Sequence, residues 1–231
     1  MKKLLILLVC LVTAAHADTP ATKKQPAAKK PNASLAPITD EPGLPRVLLI
    51  GDSISMGYTL PVRELLKGKA NVHRIPSNGG STKDGVAKID AWLGKEKWDV
   101  IHFNWGLHDL KHWKDGKMDM NAPQVSTPDE YEKNLRELVK KMKATGAKLI
   151  WATTTRVPEG SSGRSHAEEV KYNAVAARVM KDEGIPTDDL HESSEPKISE
   201  WQIPQNVHFT AEGYAGLAAK VAADIGAALK K

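Results

Sequence analysis

RVLLIGDSISMGY, residues Arg46 to Tyr58, decides how the rest of the chain reads. Val47 to Ile50 is a short apolar run of strand type, stopped by Gly51. Small residues follow, so the chain can turn tightly out of a strand and into a helix. A turn of that kind presents a hydroxyl, here Ser53, above a sheet and beside a helix N-terminus, where backbone N–H groups favour a developing anion. Serine is a weak nucleophile on its own and needs a base. The candidate base is His208 in Gln205-Asn206-Val207-His208-Phe209-Thr210, on a loop just ahead of a helix capped by Thr210.

Outward from that stretch, strand-like and helix-like segments alternate. Asn71 to Ile75, Trp98 to Phe103, Lys148 to Thr153 and Ile185 to Leu190 read as further strands. Helices are expected over Pro61 to Lys67, with proline in the first turn, and over Ser81 to Leu93, with Val86, Ile89 and Leu93 at helical spacing. Thr127-Pro128-Asp129-Glu130 is a capping box opening a helix to about Thr145 that buries Tyr131, Leu135, Leu138 and Met142; Gly146 ends it. His166 to Glu183 and the Ala-rich Thr210 to Leu229 complete the set. This alternation predicts an α/β fold, a doubly wound parallel sheet of about five strands with helices on both faces. In such sheets chemistry sits outside the carboxyl ends of the strands, here after Ile50, Ile75, Phe103 and Thr153.

The flanks are of another kind. Lys2 and Lys3, the apolar run Leu4 to Val12 and Ala15-His16-Ala17 form the pattern of a cleaved secretory signal over residues 1–17. Residues 18–45, rich in Pro, Ala and Lys, read as a flexible linker, and 46–231 as the domain. The apolar run is shorter than the ~20 residues a membrane span needs. Export to the periplasm or the medium follows, with no membrane span. The only cysteine, Cys10, lies in the signal, which excludes a disulfide framework, a thiol nucleophile and a cysteine-ligated metal in the mature protein. Six of the lysines behind the net charge of +5 lie in the first 30 residues, so no concentrated basic patch for nucleic acid is expected.

Four short blocks, in order, resemble the SGNH hydrolases, also called the GDSL esterase/lipase family. They are Gly51-Asp52-Ser53 with Gly57-Tyr58; Asn78-Gly79-Gly80-Ser81-Thr82; Gly106-Leu107-His108-Asp109; and Val207-His208-Phe209-Thr210 followed by Glu212-Gly213-Tyr214. They span nearly the whole domain, and each falls beside an expected strand end or helix start. The resemblance implies the flavodoxin-like fold of that family and acyl transfer to water. Ser53 would attack an ester carbonyl, His208 would take and return the proton, and the oxyanion hole would comprise the N–H groups of Ser53 and Gly80 (Gly79 as second choice) and the side chain of His108.

Two positions depart from the family pattern. His108 stands where the family has an oxyanion-donating Asn; an imidazole N–H can also donate. Gln205 stands where the family has the Asp that orients the base. An amide can fix the tautomer but cannot stabilise imidazolium as a carboxylate does, and that exchange can cost about 10⁴-fold in turnover. Either Glu192, Glu195 or Glu200 substitutes, or the enzyme works as a Ser–His dyad. Asp52 and Asp109 are expected to serve structure, bonding turn amides.

His108 and His112 also form H-D-x-x-H, close to a zinc motif, but the approach through a strand and Gly106 argues against the helix that motif needs. No metal or cofactor is expected. Trp105, Trp113 and Trp201 are candidate sugar-stacking faces, Trp105 foremost; Trp151 reads as core. Arg156 and Arg164, on the long loop after a strand end, are candidate substrate contacts, with Arg156 preferred. The expected protein is a monomeric secreted ester hydrolase acting on a small-molecule or polysaccharide ester, foremost a carbohydrate O-acetylesterase. Thioesterase or lysophospholipase activity, and a catalytically weak carbohydrate-binding protein, fit the same residues.

Overall fold

The structure, a computed structural model, describes residues 32–230. In chain order the elements are β1 (Arg46–Ile50), α1 (Ser53–Leu65), β2 (Asn71–Arg74), α2 (Thr82–Leu93), β3 (Val100–Phe103), β4 (Trp113–Lys114), β5 (Lys117–Met118), α3 (Pro128–Lys143), β6 (Lys148–Ala152), α4 (His166–Glu183), β7 (Thr187–Asp188), α5 (Leu190–Ser194), α6 (Ile198–Trp201) and α7 (Ala211–Lys230). Five strands form one parallel sheet in the order β2-β1-β3-β6-β7. Counting only these five, that is the flavodoxin-like order, whose reversal between the first and third strands opens a crevice at their carboxyl ends. β4 and β5 make a separate small hairpin.

Alternate residues of the central strands feed two cores. Leu48, Ile50, Ile101, Phe103, Leu149 and Trp151 pack with residues of α2, α3 and α4. Val47, Leu49, Val100, Ile150 and Ala152 pack with residues of α1 and α7. Burial on both faces explains why these strands read as continuous apolar runs. α2, α3 and α4 each begin with a capping box, at Ser81/Asp84, Thr127/Glu130 and Ser165/Glu168. The expected helix at Pro61 begins eight residues earlier, at Ser53. Gly57 and Pro61 are poor helix formers, but Ile54, Tyr58 and Val62 lie one turn apart and all bury against the α7 side. Packing overrides propensity there. The last strand shortens to Thr187–Asp188, because Asp189 already caps α5.

The expected linker needs correction at its end. Residues 33–45 are tied to the domain: Asn71 accepts from the Glu41 N–H and donates to the carbonyls of Glu41 and Leu44, and Asp40 pairs with Arg46 at 2.8 Å. The signal expected over residues 1–17 and the linker as far as residue 31 lie outside the described residues. Among the described residues no helix is long and apolar enough to cross a membrane.

Candidate active site

Asp52 is the N-cap of α1, its side chain accepting the Ile54 N–H, and Ser53 is the first helical residue. Among the described residues no hydrogen bond uses the Ser53 N–H, which lies at the exposed positive end of the helix. The turn is fastened from below by Arg74, at the end of β2. Its guanidinium donates to the carbonyls of Gly51, Asp52, Ile75 and Ser77 and to Ser55 Oγ, at 2.6 to 3.1 Å. A lone arginine closing a strand carried no sequence signal for this role.

His208 reaches the same point from the other end of the chain. Its Nε2 lies 2.9 Å from Ser53 Oγ, although the two residues are 155 apart in sequence. Asn206 Oδ1 accepts the His208 backbone N–H at 3.0 Å and lies 2.7 Å from Nδ1. One oxygen facing two nitrogens makes Nδ1 the protonated ring atom and leaves Nε2 free to accept the serine proton. The orienting group is therefore Asn206 and not Gln205. Gln205 adopts a left-handed backbone (φ 56°), and its side chain lies along Gly160. None of the three upstream glutamates substitutes: Glu195 binds Arg156, Glu200 binds Lys197, and Glu192 has no bond to His208.

The second block packs against the nucleophile turn, and the third is bonded to the second through Asp109 and Thr82. Gly79 donates its N–H to Gly51 O at 2.9 Å, so it is already used in fastening the nucleophile turn. A Cβ at Gly79 would stand 2.8 Å from that carbonyl, and only glycine permits the approach. The Gly80 N–H, in a left-handed residue (φ 63°), donates to Asn78 Oδ1 at 2.9 Å. It can serve an oxyanion only by leaving that side-chain partner. His108 is largely buried; burial pushes its pKa down, partly opposed by the nearby Asp52 carboxylate. It is therefore neutral at neutral pH, with one N–H to give.

Asp109 is fully buried and accepts the Thr82 N–H and hydroxyl at the start of α2; burial pushes its pKa up to about 6. Both aspartates thus tie turns, as their positions suggested. His112 holds its ring nitrogens against Ala122 O and Glu168, away from any joint site with His108.

Trp105 is only 1% exposed and its Nε1 donates to Gly79 O, so it is core and no sugar platform. Trp151 is core, as expected, and Trp201 packs over Gly213 and Gly216 of α7. Of the three candidate faces, Trp113 is the exposed one, with the Lys111 ammonium 4.4 Å from its ring centre. Arg156 is tied to both oxygens of Glu195. Arg164 instead donates to Leu107 O and stands close enough to Asp52 and His108 for their charges to be felt. Of the two loop arginines, Arg164 is the one bonded to the third block. A cavity of about 660 Å³ lies at the far rim of the sheet, lined by Leu149, Pro186, Asp224 and Ala228 among others, remote from this chemistry.

The sequence profile of the GDSL-like lipase/acylhydrolase family matches residues 49–215. No curated protein matches the chain. Several solved structures share its fold. A lipase/acylhydrolase from Enterococcus faecalis is 20% identical with a TM-score of 0.68, covering 80% of this chain and 96% of its own. The acetyl xylan esterase AlAXEase is 16% identical with a TM-score of 0.65, covering 78% and 99%. Axe2, an acetylxylan esterase from Geobacillus stearothermophilus, is 20% identical with a TM-score of 0.64, covering 79% and 94%.

Proposed function

The chain belongs to the GDSL-like lipase/acylhydrolase family, and from that premise we propose that it is an exported carbohydrate O-acetylesterase using Ser53 as nucleophile and His208 as base. The observation that carries the reading is the 2.9 Å contact between Ser53 Oγ and His208 Nε2 at the strand-order reversal of the sheet. His208 takes the serine proton as Oγ attacks the ester carbonyl, and gives it to the departing sugar hydroxyl. Water then repeats the cycle on the acetyl-enzyme. The oxyanion meets the unengaged Ser53 N–H, the His108 N–H, and the Gly80 N–H once it exchanges Asn78 for the oxyanion. Each such donor lowers the barrier by roughly 3–4 kcal/mol.

A sugar ester is favoured over a lipid by three features. Two solved structures of the same fold are acetyl xylan esterases. Trp113 offers an exposed aromatic face on the hairpin that follows the third block. The long loop after β6 is polar, carrying Thr153, Thr155, Arg156, Ser161, Ser162 and Arg164. The test is hydrolysis of p-nitrophenyl acetate, acetylated xylo-oligosaccharides and p-nitrophenyl palmitate by the full chain and by Ser53→Ala. Acetyl esters should be cleaved by the native chain alone. Hydrolysis unchanged in Ser53→Ala would sink the mechanism, and preference for the palmitate ester would sink the substrate class.

A further inference from the structure

His166, the first residue of α4, and His191, in α5, showed no partner pattern in the sequence, yet the fold brings them together around Glu169. Glu169 is fully buried. Its Oε2 lies 2.8 Å from His166 Nδ1 and its Oε1 3.4 Å from His191 Nε2. The two imidazoles lie parallel, 9° apart, with centres separated by 6.1 Å. One ligand atom from each of the three residues falls within 4.8 Å of the others. We propose that His166, Glu169 and His191 form a binding site for one divalent transition-metal ion of the zinc class, clipping the start of α4 to α5.

Three observations carry this. First, the carboxylate is out of water, and among the described residues its only ion-pair partners are these two histidines, with no lysine or arginine. A buried carboxylate needs a cation or a full set of donors; Asn173 Nδ2, on Oε1, supplies one neutral bond. Second, His191 Nε2 is buried and makes no hydrogen bond. A buried ring nitrogen 3.4 Å from a buried carboxylate oxygen, paired by charge but without a hydrogen bond between them, leaves the gap that a metal ion would bridge. Third, the spacing is close. An ion with bonds of about 2.0–2.1 Å in tetrahedral array holds its ligand atoms roughly 3.4 Å apart; His191 Nε2 stands at that distance from Glu169 Oε1, and His166 Nδ1, at 2.8 Å from Oε2, has to draw back by about half an ångström. The His166 ring is half-exposed, so it can move to make that adjustment and is the side from which water reaches the cluster.

Two imidazoles and one carboxylate suit zinc and its neighbours rather than magnesium or calcium, which prefer oxygen alone. Glu195, whose Oε1 is 3.7 Å from His191 Nε2, stands where it could contribute a further oxygen, though Arg156 holds it in this structure. Asn173, which bonds Glu169 and both the N–H and the carbonyl of Thr154, positions the carboxylate as outer partners of metal ligands do. The site lies beyond the carboxyl ends of β6 and β7 and uses none of the residues of the proposed active site, and the proposal does not depend on the esterase reading.

The test uses the untagged full chain, stripped with chelator and titrated with zinc chloride against a competing metallochromic dye. Native protein should take up one zinc per chain at micromolar concentration or below. His166→Ala and Glu169→Gln should each weaken that uptake at least tenfold, with circular dichroism confirming the fold. Should the buried substitution fail to fold, His166→Ala together with cobalt substitution decides. The visible bands of a low-coordinate cobalt ion should appear in the native chain and vanish in the variant. No stoichiometric uptake, or equal uptake by His166→Ala, would overturn the site and leave an imidazolium–carboxylate cluster.

Discussion

Asn206 should be the group whose replacement tells most about the catalytic pair. Its Oδ1 holds the His208 backbone at 3.0 Å and the ring at 2.7 Å. In the ground state the ring bond is neutral, with a net value of about 1 kcal/mol. As His208 takes the Ser53 proton, the bond becomes charge-assisted, at about 1.5–3 kcal/mol. Only the increase, together with lost ring orientation, enters the barrier. Water can replace part of the bond on this exposed loop, so the lower half of the range applies. Asn206→Ala should therefore cost about 0.5–1.2 kcal/mol through this bond, about a two- to eightfold loss in kcat/KM, with lost ring orientation adding to it. Asn206→Asp should act oppositely. A carboxylate at this distance in a largely aqueous setting stabilises imidazolium by about 1 kcal/mol, roughly a fivefold gain. The assay is p-nitrophenyl acetate hydrolysis at pH 8, with circular dichroism to confirm the loop's fold. Full activity in Asn206→Ala combined with a large loss in Gln205→Ala would refute this assignment and restore Gln205 as the orienting residue.

Other outcomes can be stated as directly. His108→Ala should lower kcat by about 10²–10³-fold with little change in KM, as expected for a lost oxyanion donor, and His108→Asn should recover most of that loss; a KM effect alone would place His108 in substrate binding. Arg74→Met removes a guanidinium serving five acceptors beneath Ser53, and urea unfolding should show a loss of about 3 kcal/mol or more, since several buried acceptors lose their donor. Gly79→Ala forces a Cβ against Gly51 O and should cost about 1–3 kcal/mol while displacing the nucleophile turn, so activity should fall further than stability explains. Asp109 has its folded pKa raised to about 6 by burial, above the unfolded value near 3.9. Its contribution is thus fully present below about pH 4 and is lost as pH rises through 6, by at most about 3 kcal/mol. The stability of the native chain relative to Asp109→Asn should fall across that window, and a flat difference would contradict the shift.

The sheet was legible because burial on both faces makes its central strands uninterrupted apolar runs, and because capping boxes mark the starts of α2, α3 and α4 locally. The four blocks were legible for a related reason: tight turns and helix starts demand particular small or capping residues at fixed neighbouring positions. The hairpin β4–β5 and the short helices α5 and α6 were not, being two to five residues long with no period to detect. The first half of α1 was hidden by Gly57 and Pro61, whose poor propensity is outweighed by packing against α7.

What the chain's linear order determined was the pair on which the proposed chemistry rests: a serine after the first strand and a histidine before the last helix. Which neighbour holds that histidine, which glycine amide fastens the nucleophile turn, which tryptophan is buried and which arginine is tied to Glu195 were decided only by tertiary structure. These depend on backbone direction and on distances between residues far apart in sequence. Gln205 and Asn206 are adjacent letters, yet a left-handed φ turns one toward Gly160 while the other meets the ring. Glu169 with His166 and His191 makes the same point: residue types reveal possible ligands, but only the fold brings α4 and α5 close enough to share one.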